Sequence, residues 1–301
     1  MRTRMLHRNT IGLAIAAALT TSVLTATVAT ASSGKRDNNI GNCETRKGRD
    51  HDGLRVIGLG EGGTLSCINS ARPSRATMIG QVSGLQTDTT LVGIDFRPAT
   101  GELYGVGNAG GIYTIDVKTA AATLKSRLNQ ALDGTSFGVD FNPTVDRLRI
   151  ISDTGQNLRA NVVDGVTIVD GTLNIPGTPP VSPARGVTAA AYTNNDSDPA
   201  TATTLFGIDT TNDTTVIQAP ANAGSLSATG KLGVDAAGPV GFDIYSKIRN
   251  GTTTDLRAFA SIASADGSTG LYEVDLLTGR VAATGMFKTP TVDIAIPTQQ
   301  N

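Results

Sequence analysis

LVGIDFRP, at residues 91–98, is the first of several copies of one segment along this chain. The other copies are FGVDFNP at 137–143, the weaker AAAY at 189–192 and VGFDI at 240–244. Short apolar runs separated by Gly, Asn and Asp follow each copy, as is typical of strands and turns. The copies begin about 45 to 52 residues apart, which is the length of one four-stranded propeller blade. The sequence therefore predicts an all-β repeat protein with the architecture of a β-propeller.

The two ends of the repeat array predict how the ring closes. Residues 56–69 align with 103–116, the second and third strands of the next unit, but no opening strand precedes them. Residues 291–297, TVDIAIP, resemble the opening segments of the other units. A chain that starts at strand two and ends at strand one can close a ring, which removes open sheet edges. We predict five four-stranded blades closed by the C-terminal strand, with an open sandwich or a β-solenoid as alternatives.

Two motifs resemble those of a bacterial family of exported proteins that is known only as a domain of unknown function. The motifs are GIDFRPATGELYG at 93–105 and FGVDFNPTVDRLR at 137–149 with SDTGQNLR at 152–159. The resemblance extends over about residues 54–296 and implies a bacterial source and a repeat fold. It implies no activity. The chain departs from the family pattern in its charged leader and near Asp293, where the usual Gly is replaced.

The first 31 residues have the three parts of a secretory signal peptide. They are a basic start, an apolar run over about 11–28 and the small-residue exit Ala-Thr-Ala at 29–31. A membrane anchor is the alternative, since about 18 apolar residues can span a bilayer. The predicted domains are the signal at 1–31, a flexible polar leader at 32–52, one propeller at 53–297 and a tail at 298–301. We therefore expect a secreted or periplasmic protein that is not inserted in the membrane after cleavage.

The cysteine count predicts one disulfide. The chain has two cysteines, Cys43 in the leader and Cys67 in the first blade. An even pair in an exported protein favours a bridge, and two free thiols are the alternative. Closing a loop of about 24 residues would stabilise the fold by roughly 3 kcal/mol on the chain-entropy estimate.

Charge and composition exclude several classes of function. Without the signal peptide the net charge moves from −1 to about −4, and no stripe of Lys and Arg is present. Binding to nucleic acid or to an anionic membrane is therefore disfavoured. The two histidines, His7 and His51, precede the propeller, so the ring lacks an imidazole base and His-ligated metal. We expect a monomer that binds an unknown ligand or protein partner.

These exclusions favour an exported, non-catalytic binding or interaction module. One alternative is a cation-dependent hydrolase, lactonase-like or phosphoesterase-like, with a carboxylate-lined channel. A structural component of the envelope or matrix is the second alternative. Fold alone does not decide among them, because propellers host all three classes.

The opening strands carry acidic residues that the repeat brings to the central channel. Asp95, Asp140 and Asp243 lie near the centres of these strands, and Asp293 lies in the closing strand. Carboxylate oxygens suit Ca²⁺, so the first three are candidate metal ligands. The alternative, which we favour, is that each accepts backbone hydrogen bonds from a neighbouring blade. No cofactor is then required, with calcium as the possible exception.

The third repeat concentrates charge and amides beyond what turn chemistry explains. We consider it the first candidate for ligand binding, through Arg147, Arg149, Asp153, Gln156, Asn157 and Arg159. Arg147 and Arg149 are two residues apart and share one face of a strand. We therefore expect both to be exposed to solvent or both to be paired with carboxylates.

Overall fold

The alternating apolar segments and Gly, Asn and Asp turns fold as strands throughout the part of the chain that the structure describes. A computed structural model describes residues 53–177 and 183–300, so the signal, the leader and Cys43 lie outside the described residues. Within these ranges, twenty strands form five four-stranded antiparallel sheets, and short 3-10 helices lie at Pro73–Arg75 and Ala221–Ala223. No helix in the same ranges has the length and apolar character that a membrane span requires. The predicted five-bladed β-propeller is confirmed.

Four consecutive strands build each blade, except in blade 1. Blade 1 contains β1 (Arg55–Gly60), β2 (Thr64–Asn69), β3 (Thr77–Gln81) and the C-terminal β20 (Thr291–Ala295). Blade 2 contains β4 (Leu91–Phe96), β5 (Leu103–Gly107), β6 (Gly111–Ile115) and β7 (Ala122–Arg127). Blade 3 contains β8 (Phe137–Asn142), β9 (Arg147–Ser152), β10 (Asn157–Ala160) and β11 (Thr167–Val169).

The last two blades follow the same order. Blade 4 contains β12 (Val187–Tyr192), β13 (Leu205–Asp209), β14 (Thr214–Gln218) and β15 (Leu226–Lys231). Blade 5 contains β16 (Val240–Arg249), β17 (Thr252–Ala263), β18 (Thr269–Val274) and β19 (Val281–Met286). The innermost strands are β4, β8, β12, β16 and β20, and they are largely buried because the channel and both neighbouring blades surround them.

The ends of the chain close the ring as predicted. β20 pairs with β1 in antiparallel fashion, and Ala295 lies opposite Ile57. The Gln300 side chain continues the contact, since its Oε1 accepts the N–H of Arg55 at 2.7 Å and its Nε2 donates to the Arg55 carbonyl at 3.1 Å. The C-terminal segment therefore supplies the inner strand of the first blade.

Close approach of the inner strands explains the glycine that precedes Asp in the repeated motif. A Cβ atom on Gly138 would lie 2.5 Å from the backbone N of Ala190. A Cβ atom on Gly241 would lie 2.5 Å from the Cα of Asp293. Neither backbone atom can move independently of its strand, so only glycine allows neighbouring blades to pack at this distance.

Apolar side chains fill the spaces between blades. Between blades 1 and 2, the fully buried Ile57 and Leu59 belong to one cluster with Ile94. Between blades 2 and 3, the rings of Tyr104 and Phe141 meet edge to face with centroids 5.3 Å apart. Burial of each such side chain contributes about 1.5–3 kcal/mol, so interblade packing is a main source of stability.

The role of β20 in closure generates a test. Deletion of residues 289–301 removes the inner strand of blade 1, so we expect loss of cooperative unfolding, measured by circular dichroism during heating. Truncation after Pro297 is the control, because it keeps β20 and removes only the Gln300 contacts. That shorter truncation should cost about 1–2 kcal/mol, the value of one or two hydrogen bonds. An unchanged melting temperature after the longer deletion would contradict closure through β20.

Candidate functional site

Strand pairing brings three acidic residues to one level of the channel. Asp95, Asp140 and Asp243 occupy equivalent positions in the inner strands of blades 2, 3 and 5, as judged by their partners in the second strands. The equivalent residues are Ala191 in blade 4 and Ala295 in blade 1. We call this position the acidic level. Three of the five blades therefore contribute a carboxylate to it.

Asp293 lies elsewhere than the acidic level. It precedes Ala295 by two residues and so takes the position of the motif glycine. Its Oδ2 accepts the N–H of Ile94 in blade 2 at 2.7 Å, and its Oδ1 accepts the N–H of Ile294 at 2.9 Å. Asp293 is thus a fourth buried carboxylate, one step along the channel from the other three.

The unpaired edge of each inner strand explains what these carboxylates do. An inner strand pairs with its blade on one side only, so N–H groups on its other edge need acceptors. Asp95 serves two blades, since its Oδ1 accepts the N–H of Phe96 at 2.6 Å and its Oδ2 accepts that of Phe141 at 2.7 Å. The N–H of Phe96 donates to Asp95 of its own strand, because the preceding blade, blade 1, has Ala295 at the acidic level and offers no carboxylate there.

The same arrangement completes the ring in the other blades. Asp243 accepts the N–H of Ile244 through Oδ1 and that of Ile296, in blade 1, through Oδ2. Asp140 accepts the N–H of Tyr192, in blade 4, at 3.0 Å. Three carboxylates therefore accept the N–H group that follows the acidic level in all five blades. These contacts support the structural interpretation of the acidic residues.

Burial makes the charged forms of these carboxylates costly. Oxygen atoms of Asp95, Asp140 and Asp243 lie within 4.8 Å of one another, and none of the three residues is more than 6% exposed. Burial, with repulsion from the neighbouring carboxylates, raises the pKa of Asp95 and Asp140 well above the usual range. Burial also raises the pKa of Asp243 to about 7, although two backbone N–H groups oppose this change.

Geometry alone would allow a cation at the acidic level. Calcium takes six to eight oxygen ligands, and three carboxylates could supply part of that set. However, both oxygens of Asp95 and of Asp243 already accept backbone N–H groups. The acidic level is therefore better suited to holding the blades together than to surrounding an ion.

Arg149, a predicted ligand-binding residue, is buried. Its side chain is 1% exposed, and its Nη1 donates to Asn157 Oδ1 and to Asp170 Oδ2, each at 2.7 Å. Its Nη2 donates at 2.8 Å to Asn222, which belongs to blade 4. Arg159 also donates to Asp170, at 2.9 and 3.0 Å. Arg149 and Arg159 thus share the carboxylate of Asp170, and Arg149 and Asn157 connect blades 3 and 4.

Arg147 has different surroundings from Arg149. It donates to the carbonyl oxygens of Val145 and Asp146 in its own turn, and the described residues provide no carboxylate at ion-pair distance. The expectation that both arginines would be exposed or both paired is therefore wrong. The reason is position: Arg147 begins β9 at the surface, whereas Arg149 lies where blade 4 packs.

Asp153 and Gln156 lie in the turn between β9 and β10 and hold the loop that leads into β8. Asp153 accepts the N–H of Thr135 at 2.9 Å and its hydroxyl at 2.7 Å. Gln156 accepts the N–H of Asp133 and donates to the carbonyl of Ala131. The six predicted residues therefore form three separate groups rather than one pocket.

The channel opens into a recess that the sequence did not predict. It has a volume of about 280 Å³ and lies on the face where the β1–β2 turn emerges. Every blade contributes to its lining, with Val92, Phe137, Thr188, Pro239 and Val292 at equivalent positions near the start of the inner strands. We call these five residues the collar. Each precedes the acidic level by three residues, or by four at Pro239, which corresponds to about 10 Å along a strand.

Polar groups surround the collar and form the rim of the recess. Thr90, Thr135 and Ser136 contribute hydroxyl groups, and Glu61 is the one ionisable residue among those that line the recess. The hydroxyl of Thr188 is buried and has no hydrogen-bond partner within the described chain. The recess therefore combines an apolar collar with a hydroxyl-rich rim and one carboxylate.

A second recess lies at the opposite end of the channel. It has a volume of about 470 Å³ and is lined by Pro98, Asn195–Ser197, Tyr245, Ile248 and residues 298–300. The long β16–β17 hairpin forms one wall, and Asp196 accepts the N–H of Thr253 at 2.8 Å to fix the facing loop. Unlike the collar recess, it does not receive a residue from every blade.

The raised pKa values of the acidic level predict a pH dependence of stability. The folded state binds these protons more tightly than the unfolded chain, in which the pKa of Asp is about 4. The contribution of these groups to the free energy of unfolding should therefore be largest below about pH 4 and fall as the pH rises to about 7, the pKa of Asp243, by up to about 1.4 kcal/mol per pH unit for each group. Urea unfolding at four pH values measures this slope.

Two variants test whether the acidic level causes this change in the free energy of unfolding with pH. Asp243→Asn removes one titrating group, so the fall between pH 5 and 7 should become shallower. Asp266→Asn is the control, because Asp266 lies in an exposed turn where hydrogen bonds from Ser268 lower its pKa, and it is ionised throughout this range. If Asp243→Asn kept the full slope, the protons would be bound elsewhere.

Comparisons of the fold give distant similarities. Residues of this chain superpose on a structural-genomics protein of unknown function from Bacteroides thetaiotaomicron with TM-score 0.41 and 13% identity, covering 81% of this chain and 64% of that one. The extracellular domain of a putative hybrid two-component system from the same organism superposes with TM-score 0.37 and 11% identity, covering 80% of this chain and 29% of that one. The WD40 domain of Toxoplasma gondii coronin superposes with TM-score 0.37 and 11% identity, covering 81% of this chain and 60% of that one.

The sequence comparisons identify the family. The chain spans less than two thirds of each of these three solved chains. No curated protein matches it in sequence. A family model described as a domain of unknown function, DUF4394, matches residues 64–295, which is most of the chain and nearly all of the propeller. The chain therefore belongs to the DUF4394 family.

Proposed function

We propose that this protein is an exported, non-catalytic binding module whose ligand occupies the collar recess. The observation that carries the proposal is that all five blades contribute at least one residue each to a concave site of about 280 Å³. Ligand sites occur preferentially where several structural elements meet at a preformed concavity. A ring of five blades provides such a place on its axis.

The chemistry of the recess supports binding of a small ligand. Val92, Phe137 and Val292 are partly exposed in the recess and offer apolar surface. The hydroxyl groups at the rim offer both donors and acceptors. A buried hydroxyl without a partner, such as that of Thr188, costs about 1–3 kcal/mol, which a ligand that hydrogen-bonds to it would offset.

The same residues give little support to catalysis. General acid–base and nucleophilic mechanisms need at least two positioned groups, such as a nucleophile beside its base. Glu61 is exposed on a turn, and the hydroxyl of Thr135 donates to Asp153, whose lowered pKa makes its carboxylate a weak base. The carboxylates of the acidic level lie about 10 Å below the collar and accept backbone N–H groups.

Export is part of the proposal because of the N-terminal sequence. A basic start, an apolar run and an Ala-Thr-Ala exit occupy residues 1–31. The ligand would then be a molecule of the periplasm or the extracellular medium. The described propeller and a predicted Cys43–Cys67 bridge would suit such an oxidising compartment.

A fragment titration followed by NMR tests the location of the site. We expect fragments that bind to shift the amide signals of Val92, Phe137 and Thr188, which line the recess. Val92→Phe should fill the recess and weaken binding by roughly tenfold or more, because the ligand loses about 1–3 kcal/mol of contacts with the lining. Val145→Phe is the matched control, since Val145 is 52% exposed on a turn at the opposite face.

The controls for this experiment keep its result interpretable. Val292→Phe fills the recess from another blade and replaces Val92→Phe if that variant does not fold. Fragments that shift only the amide signals around Tyr245 and Asn195, and whose affinity is unchanged by both substitutions, would bind in the opposite recess. Such a result would refute the proposal.

The hydrolase remains a second candidate because three carboxylate oxygens lie within 4.8 Å of one another. If they bind Ca²⁺, millimolar calcium should raise the melting temperature by mass action, and Asp140→Asn should abolish the response. We expect no response to calcium, because the carboxylates act as acceptors for the blades. A calcium-dependent rise that is lost in Asp140→Asn would move the hydrolase ahead of the binding module.

A further inference from the structure

We infer that the collar recess recognises a primary ammonium group carried on a short apolar chain. Such a group is present in a free alkylamine and in a lysine side chain of a partner protein. The inference rests on the proposal that the recess is the ligand site. It adds the charge and the shape of the group that binds there.

The size and the apolar collar determine the kind of chain that fits. A volume of about 280 Å³ is at the lower limit for drug-sized ligands, which need roughly 300–1,000 Å³. The recess therefore suits a group of a few heavy atoms. Val92, Phe137, Pro239 and Val292 provide apolar contacts for methylene groups, as apolar surfaces do for the stem of a lysine.

The polar rim provides acceptors for an ammonium group. An ammonium ion has three donors and no acceptor, so it needs oxygen atoms on several sides. The rim offers the hydroxyl oxygens of Thr90, Thr135 and Ser136 and the carboxylate of Glu61, and no Lys or Arg lines the recess. The Thr135 hydroxyl donates its proton to Asp153 at 2.7 Å, so its oxygen can act as an acceptor for the ammonium group.

Asp153 adds a second negative charge directly behind the rim. Although partial burial opposes it, hydrogen bonds from Thr135 and Ser136 lower the pKa of Asp153, so its carboxylate is ionised at neutral pH. A cation at Thr135 would therefore interact with Asp153 through the shared hydroxyl. An anion at the same position would be repelled by both Asp153 and Glu61.

The surrounding face extends this negative charge. Asp133, Asp235 and Asp266 lie in loops or turns on the same face, and none forms an ion pair with a Lys or Arg of the described chain. Arg127 pairs with Asp88 on this face, and Arg185, Lys231 and Lys288 are further basic residues there, but none of the four lines the recess. A mouth with this balance of charge concentrates cations near the channel axis.

Three probes of similar size separate charge from shape. They are n-butylammonium, 1-butanol and butyrate, titrated at pH 7 and low salt while the amide signals of Val92, Phe137 and Thr188 are followed. We expect n-butylammonium to bind roughly fivefold more tightly than 1-butanol, as one exposed ion pair would give, and butyrate to bind least. Adding 0.3 M NaCl should reduce the preference for the ammonium.

A charge-neutral variant identifies the residue responsible. Glu61→Gln should bring the affinities for n-butylammonium and 1-butanol together, because the turn is exposed and the substitution keeps the shape. Glu102→Gln is the matched control, since Glu102 is exposed near the opposite face. Equal binding of the first two probes to the unaltered protein, or a preference that survives Glu61→Gln, would overturn the ammonium inference.

The outcomes for the two proposals are distinct. If all three probes bind in the recess with equal affinity, the recess is a ligand site but the ammonium inference fails. If the probes and the fragments all bind elsewhere, the proposed function fails as well. Acetyl-Gly-Lys-Gly-amide distinguishes the sources: tighter binding than n-butylammonium indicates a lysine of a partner protein, and weaker binding indicates a small free amine.

Discussion

The unpaired edge of each inner strand is the constraint on which the ring depends. Five inner strands face the axis, and backbone N–H groups on that edge must find acceptors without water. Asp95, Asp140 and Asp243 meet this need for all five blades, because two of them use both oxygens. Closure by β20 is part of the same network, since it brings the N–H of Ile296 to Asp243.

This solution places several carboxylates close together in a buried channel. Their mutual repulsion and their loss of hydration raise the pKa values, so proton binding becomes linked to folding. The apolar collar separates them from the mouth of the channel on one face. The axis is thus divided into a structural part at the acidic level and a recess that is accessible from outside.

Polar residues of the third blade follow the same principle of satisfying buried groups. Arg149 is charged and buried, and it is retained because Asp170 neutralises it while Asn157, Asn222 and Tyr192 accept hydrogen bonds from its other N–H groups. Part of the charge concentrated in this stretch of sequence, Arg149, Arg159 and Asp170, therefore forms a junction between blades. Most residues that line the recess are instead uncharged, with Glu61 as the exception.

Repetition and periodicity in the sequence determined the architecture, because strand patterns, turn residues and the displaced opening strand are all visible in LVGIDFRP and its copies. They also placed Asp95, Asp140 and Asp243 in inner strands. Only the tertiary structure separated Asp293 from them, because the pairing of β20 with β1 places Ala295, and not Asp293, opposite Ile57 at the acidic level. Only the tertiary structure revealed the collar, because its five residues come from five blades and become neighbours when the ring closes.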